Sequence, residues 1–306
     1  MIKTATLYRI QLPQPLDIAA FDKAIEAKTF TPCGATQEHA SGWSPPRGED
    51  HGAMVELVGT GHLVMSFVRE TKAVPGQAIT RELDALVAKI RQEEGRTPGR
   101  KEKRELREHV VRKLLPHAFA KRTEVPVWID PARGLLVIGS TSTAFTDLIT
   151  GALVQAIQGV KIGYLNTVLS PASVMTCWLL DGEKLNAHDR FDFSIGRDVE
   201  LHSGDEMKTV VKYNRHYLDD KEMKRHINQG KLPTQLALDW KGRVSFTLTK
   251  AMQIKKITVL DVVFEGQKAE DAGGFDADWA IATGELSAMI DGLIEALGGD
   301  LDQEAA

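Results

Sequence analysis

The motif "FDADW" sets two carboxylates, Asp276 and Asp278, two positions apart, and this is the nearest the chain comes to metal chemistry. Held on a loop, such a pair can share a Mg²⁺ ion as nuclease carboxylates do. At the opening of a helix, Asp276 would instead cap it and Asp278 would sit in the favourable field of the first turn. The apolar run that follows favours the helix-start reading, and a metal-dependent nuclease using Asp276 and Asp278 stands as the alternative. "NAHDRFDF" (186–193) mixes His188 with Asp189 and Asp192 but has no convergent partners, and it reads as a solvated turn. No phosphate-binding G-x-x-x-x-G-K-[ST], no G-x-S-x-G and no H-E-x-x-H occurs, and "GTGH" lacks the helix onset of a dinucleotide loop. The expectation is a binding protein and not an enzyme, with no cofactor and no metal.

Basic residues carry the stronger signal. Residues 95–122 hold ten Lys/Arg against three Glu, in a chain of net charge −4. Residues 76–122 sum to +6 and 231–258 to +5, whereas 261–306 sum to −11. Such segregation predicts a basic working surface and a separate acidic one. Within the first segment Arg100, Lys103, Arg104 and Arg107 fall at i, i+3, i+4 and i+7, a single helical stripe. The reading sets this stripe away from the apolar residues Leu106, Val110 and Leu114. Lys101, Arg112, Lys113, Lys121 and Arg122 enlarge the set, and Glu105 and Glu108 are too few to neutralise it. In "VKYNRHYL" (211–218), Lys212 and Arg215 alternate with Tyr213, His216 and Tyr217. That interleaving suits phosphate contact with stacking, or equally an edge strand guarded by charge. Lys241, Arg243, Lys255 and Lys256 complete the candidate nucleic-acid contacts.

These residues need elements to place them. Alternation predicts strands at 5–12, in "AMVELVG" and "GHLVMSFVRE", in "VPVWID" and "GLLVIGS", and in "RFDFSIG", "ELHSG", "MKTVVKY" and "KKITVL". "PTQLALDWKGRVSFTLTK" reads as a hairpin turning at Lys241-Gly242. Helices are predicted at 16–28, 79–94, 100–115, in "STAFTDLITGALVQAIQG" with Phe145, Leu148 and Leu153 in the core, in "PASVMTCWLLDG", in "DDKEMKRHINQG", and at 276–297. "GWSPPRGED" reads as loop, and "GRTPG" separates two helices of a hairpin. The mixed order predicts an α+β fold. Its parts are an N-terminal segment (1–75), the basic helical hairpin inserted between strand-rich segments (76–122), and a C-terminal segment (123–306) packing on the first. Phe119, three residues after Pro116 and between basic residues, is either core or an aromatic anchor at a subunit contact. No run approaches the roughly 18 apolar residues of a membrane span, and the N-terminus lacks a signal peptide's apolar core. Cys33 and Cys177 have no metal or redox spacing and are expected buried, in a reducing cytoplasm.

The chain resembles the recombination-associated RdgC family. "FTPCG" (30–34), "GWSPP" (42–46), "LLPHAF" (114–119) followed by "WID" (128–130), "LALDW" (236–240), "FDAD" (275–278), "TGEL" (283–286) and "LGG" (297–299) carry the resemblance, in the family's order. It implies an elongated, multi-lobed subunit that assembles as a closed ring-shaped homodimer. The ring's positively lined hole would encircle duplex DNA without sequence preference, on the nucleoid. It also implies negative control of RecA-driven recombination by limiting access to DNA. Duplex DNA is then the expected partner, with single-stranded DNA a further one, RecA a functional one through competition, and no membrane. A protein-interaction module whose basic hairpin docks an acidic partner is a third reading.

Overall fold

In β1 (Ala5–Gln11) alternate side chains enter two different cores: Ala5 and Leu7 face one, Tyr8 and Ile10 the other. The computed structural model describes residues 2–48, 52–181, 192–204, 209–216, 221–263 and 274–301. Among them, β1 is joined by β2 (His39–Ser44), β3 (Glu56–Val58), β4 (His62–Lys72), β5 (Ala120–Asp130), β6 (Leu135–Ile138) and β7 (Lys161–Tyr164). The second half adds β8 (Phe193–Ser203), β9 (Val210–Tyr213), β10 (Lys231–Trp240), β11 (Val244–Thr249) and β12 (Gln253–Val259). All belong to one sheet, ordered β2-β4-β5-β6-β1-β12-β11-β10-β8-β9, with β3 beside β4 and β7 beside β1. Every pairing is antiparallel. The fold is α+β.

Helices cover the two faces in different halves. α1 (Ile18–Glu26) brings Phe21 and Ile25, and α4 (Thr143–Ala156) brings Ile149 and Leu153, onto the core that holds Tyr8, Met65, Val127 and Leu136. α5 (Pro171–Leu180), α6 (Lys221–Asn228) and α7 (Phe275–Ala296) cover the opposite face, with Trp178, Met223 and Leu293 against Trp128, Leu201, Leu236 and Phe246. Each large aliphatic or aromatic chain so buried contributes about 1.5–3 kcal/mol. Strands β5 and β6 are therefore apolar on both faces. In β8, β10 and β11, Val199, Leu201, Leu236 and Leu248 face the core, while Asp198, Glu200, Gln235 and Thr247 alternate onto the other side.

α2 (Gly76–Glu94) and α3 (Arg100–Leu114) connect β4 to β5 and pack on each other. Gly95 ends α2 at φ 70°, a conformation that glycine adopts without strain. Only Ile79 of α2 and Val110 of α3 are buried, so little of this pair reaches the core.

Several expectations need correction. "GWSPP" starts within β2, which pairs with β4 from His39 to Ser44, and β7 adds a strand where the alternation predicts none. "RFDFSIG" and "ELHSG" are one strand, because β10 offers β8 a partner along nearly its whole length. Gly274 is the N-cap of α7, and Asp276 sits inside its first turn. Leu148 is 38% exposed, Cys33 is half-buried and Cys177 is exposed. His188, Asp189 and Tyr217 lie outside the described residues.

Candidate nucleic-acid interface

Helix α3 is the most cationic element of the fold. Arg100, Lys101, Lys103, Arg104 and Arg107 are all exposed. Among the described residues, Arg100, Lys101, Lys103 and Arg107 have no carboxylate within ion-pair distance, and Arg104 shares Glu108 at 3.3 Å. Arg112 donates through Nε to the Glu108 carbonyl at 3.4 Å, and Lys113 pairs with Glu82 of α2 at 3.1 Å. Arg104, Arg107 and Arg112 line an open groove of about 490 Å³ together with Glu38 and Glu108.

The stripe does not oppose the apolar residues as the sequence reading held. At about 100° per residue, positions seven apart are only about 20° apart around a helix. Lys103 therefore shares a face with Val110, Arg104 with Val111, and Arg107 with Leu114. Exposure changes along the axis instead: the first two turns are open, whereas Val110 and, just beyond the helix, Leu115 are buried.

A clamp fixes the loop before α3. Arg96 donates to Glu94 at 2.6 Å and to both oxygens of Glu102, at 2.6 and 2.8 Å. These bonds, Glu102's first, push the guanidinium's pKa up, and Arg96 in turn holds the Glu102 carboxyl below its usual range. Glu102 is thereby withdrawn from the stripe. Beyond α3, Leu115–His117 form one 3₁₀ turn and Ala120 begins β5. Lys121 and Arg122 are exposed on that strand, opposite Thr71 and Glu70, and Arg122 lies over the Phe30 ring at 5.0 Å. Phe119, at the junction, is 96% exposed, which removes it from the core. Spacing did not flag Arg81 and Arg91, exposed cations of α2 that face different ways around the helix.

The second group of candidates differs in kind. Lys212 pairs with Glu200 at 2.7 Å, Lys256 with Asp198 at 3.3 Å, Lys241 with Asp192 at 3.0 Å, and Arg243 with Glu285 of α7 at 2.8 and 2.5 Å. Glu200 is held down to about 2, chiefly by Lys212 and then by His202. Asp198 is lowered by the Arg215 backbone N–H, at 2.8 Å, and then by Lys256. The Arg243 pKa is raised by Glu285. Lys255 is half-buried, with no ion pair among the described residues. The group is also divided: Lys212 and Lys256 meet carboxylates on the sheet face away from α7, while Arg243 reaches α7 itself.

Asp276 is engaged by Arg47, which also pairs with Glu56 at 3.0 Å and lies 4.6 Å from the Phe275 ring centre. Asp278 instead borders a cleft with Glu124 and Trp279. Two positions apart on a helix is about 200° of rotation, so the two aspartates point away from each other. Among the described residues no group of three or more His, Cys, Asp or Glu side chains is disposed to hold a metal ion. No described helix is long and apolar enough to cross a membrane.

Residues 1–300 match the family model described as "Putative exonuclease, RdgC". The chain is 36% identical over 301 residues to the Recombination-associated protein RdgC of Cupriavidus pinatubonensis, covering 97% of this chain and 98% of that one. It is 36% identical over 305 residues to the protein of the same name from Dechloromonas aromatica, covering 98% of each. The Paraburkholderia phymatum protein of that name is 34% identical over 304 residues, covering 98% of this chain and 97% of its own.

Proposed function

The chain belongs to the RdgC family, and we propose that it holds duplex DNA without reading sequence, as a ring-shaped homodimer that limits RecA's access to the duplex. The observation that carries this reading is the open half of α3, where four exposed cations have no carboxylate partner among the described residues. Exposed cations without carboxylate partners among the described residues suit a polyanion, because sequence-independent binding needs only positive charge matched to phosphates. The relatives' name adds recombination as the setting. In this reading α2 and α3 are an inserted hairpin that carries charge outward from a sheet shared by residues 1–75 and 123–306. Phe119 then serves ring closure: an exposed phenylalanine beside the basic helix is an aromatic anchor awaiting a second copy. A protein that covers duplex in this way resides on the nucleoid, in the cytoplasm.

The test is binding to unrelated duplexes of equal length across a salt series. Equal affinities that fall steeply with salt support the reading; a strong preference among duplexes, or a flat salt response, overturns it. Inhibition of RecA-promoted strand exchange should rise with protein per base pair and fall in parallel with DNA affinity in α3 variants. A variant that no longer binds DNA but still blocks exchange would replace competition by direct contact with RecA. Incubating plasmid with Mg²⁺ or Mn²⁺ separates the nuclease alternative, and cleavage abolished by Asp278→Asn would establish it.

A further inference from the structure

The sheet has a gap beside β1. β12 pairs with β1 only at Ala5 and Thr6, through Ile254 and Gln253, whereas β7 pairs with Tyr8 to Gln11. β6 occupies the other side of β1 over Thr6–Arg9, so β12 and β7 lie end to end along the same edge. On that edge Leu7 has no strand partner, although Val137 of β6 pairs with it on the other. A cavity of about 490 Å³ opens at this gap. That lies within the usual range for a small-ligand site of about 300–1,000 Å³, and is far too narrow for a duplex.

Its lining has a definite chemistry. Tyr164 stands at the mouth, 62% exposed, with its inner face against Tyr8 at 5.3 Å between ring centres and 32° between planes. Tyr8 is buried and held in β1, and burial raises its phenol's pKa, so the supporting ring is fixed and neutral. Thr143, Asn166 and Gln253 add hydrogen-bonding groups, and Lys250 stands exposed at the rim with no ion pair among the described residues. Among the described residues no carboxylate lines the cavity, and Asp147 is the acid near enough to act on the Tyr8 phenol. An aromatic ring with one face on Tyr8 and the other exposed, with a nearby cation and no lining carboxylate among the described residues, suits a flat heterocycle that carries phosphate. Base stacking on such a ring is sequence-tolerant, because every base offers a π-face.

We propose that this gap receives one unstacked base of a DNA strand, laid on Tyr164, with the adjoining phosphate at Lys250. The proposal rests on the DNA-binding reading above but concerns a separate surface, reached by a frayed or single strand and closed to paired bases. The test uses the full chain and a dodecamer of dT with one central 2-aminopurine, whose fluorescence responds to stacking, alongside a blunt duplex of equal length. Tyr164→Ala should weaken the single strand about tenfold and abolish the fluorescence change. Tyr164→Phe should keep both, Lys250→Ala should weaken affinity while leaving the fluorescence change, and all three should bind duplex as the unmodified protein does. If Tyr164→Ala binds the single strand with unchanged affinity and unchanged fluorescence, the gap holds no base. Failure of the unmodified protein to bind duplex would instead remove the α3 reading, and the single-strand measurements would still judge the gap.

Discussion

Neutralising Arg100, Lys103 and Arg107 together, each to Ala, isolates the charge that α3 leaves unpaired. Each phosphate contact contributes about −0.9 to the slope of log K against log salt on duplex DNA. Three contacts per protomer therefore predict a slope shallower by about 2.7, and twice that where both protomers engage. Over a fourfold rise in salt, from 50 to 200 mM, a slope difference of about 2.7 amounts to roughly 40-fold in affinity. The advantage of the unmodified protein over the variant should thus shrink by about that factor between the two conditions. None of the three side chains is buried, so the fold should be retained. The matched control neutralises Lys212, Lys241 and Lys256, whose charges are already met by Glu200, Asp192 and Asp198. Fluorescence anisotropy on a labelled duplex, over a salt series, reads both slopes. If the control loses as much slope as the α3 variant, pairing in the free protein does not decide which cations meet phosphate, and the reasoning fails.

Phe119→Ala should leave unfolding midpoints unchanged, since the ring is 96% exposed, while shortening retention on circular DNA more than binding to short linear duplex; unfolding of the variant would return Phe119 to a structural role. Glu200 is depressed to about 2, so its pairing stabilises the fold above the ordinary carboxyl range and that contribution is lost as pH falls from about 4.5 to 2. Because Lys212 is 58% exposed, solvent screening leaves about 1 kcal/mol; Glu200→Gln should cost this at pH 7 in denaturant unfolding, with the deficit vanishing near pH 2. His62 is buried 3.6 Å from Asp130, and burial, only partly opposed by that carboxylate, lowers its pKa. The unfolded chain then takes up the proton first, so stability should fall as pH drops below about 6.5, and His62→Gln should flatten that loss. An unchanged pH profile in His62→Gln would assign the acid sensitivity elsewhere.

The elements most legible in the sequence are those whose signals are local. The 3.6-residue period gives α2 and α3, glycine and proline part them, and Lys241-Gly242 takes positive φ at both positions, 57° and 62°, as a two-residue hairpin requires. β2 has no such signal. It forms because Gly42 lets the chain run against residues 28–30, where a Cβ would come 2.6 Å from the Phe30 Cα, and because Trp43 exchanges backbone bonds with Phe30 and Lys28. β7 exists only because β12 leaves the far half of β1 unpaired. Spacing yields the basic stripe and also its angular relation to the apolar residues, but not which turns are covered. Seven-residue spacing puts both on one face, and only packing decides where along the axis that face is covered.

Charge shows the same division between local and distant information. The acidic end of the chain looks like a separate negative surface when summed along the sequence. Among the described residues, four of its carboxylates meet distant arginines: Asp276 goes to Arg47, Glu285 to Arg243, Asp291 to Arg133 and Asp300 to Arg9. One acidic segment thus neutralises arginines drawn from four distant parts of the chain, including one from the second basic run. The ion pairs of α2 and α3 behave oppositely. Lys89 with Glu93, Arg96 with Glu94 and Glu102, Arg104 with Glu108, and Lys113 with Glu82 all join residues of the same two helices and their loop. With thirteen cations and seven acids between residues 76 and 122, pairing inside the segment cannot balance it. Desolvation does not oppose this surplus, because the first turns of α3 stay in water, and the charge remains available to an external polyanion. The fold thus spends its distant carboxylates on arginines of the sheet and its loops, and in the proposed function DNA phosphates supply the counter-charge that α3 lacks.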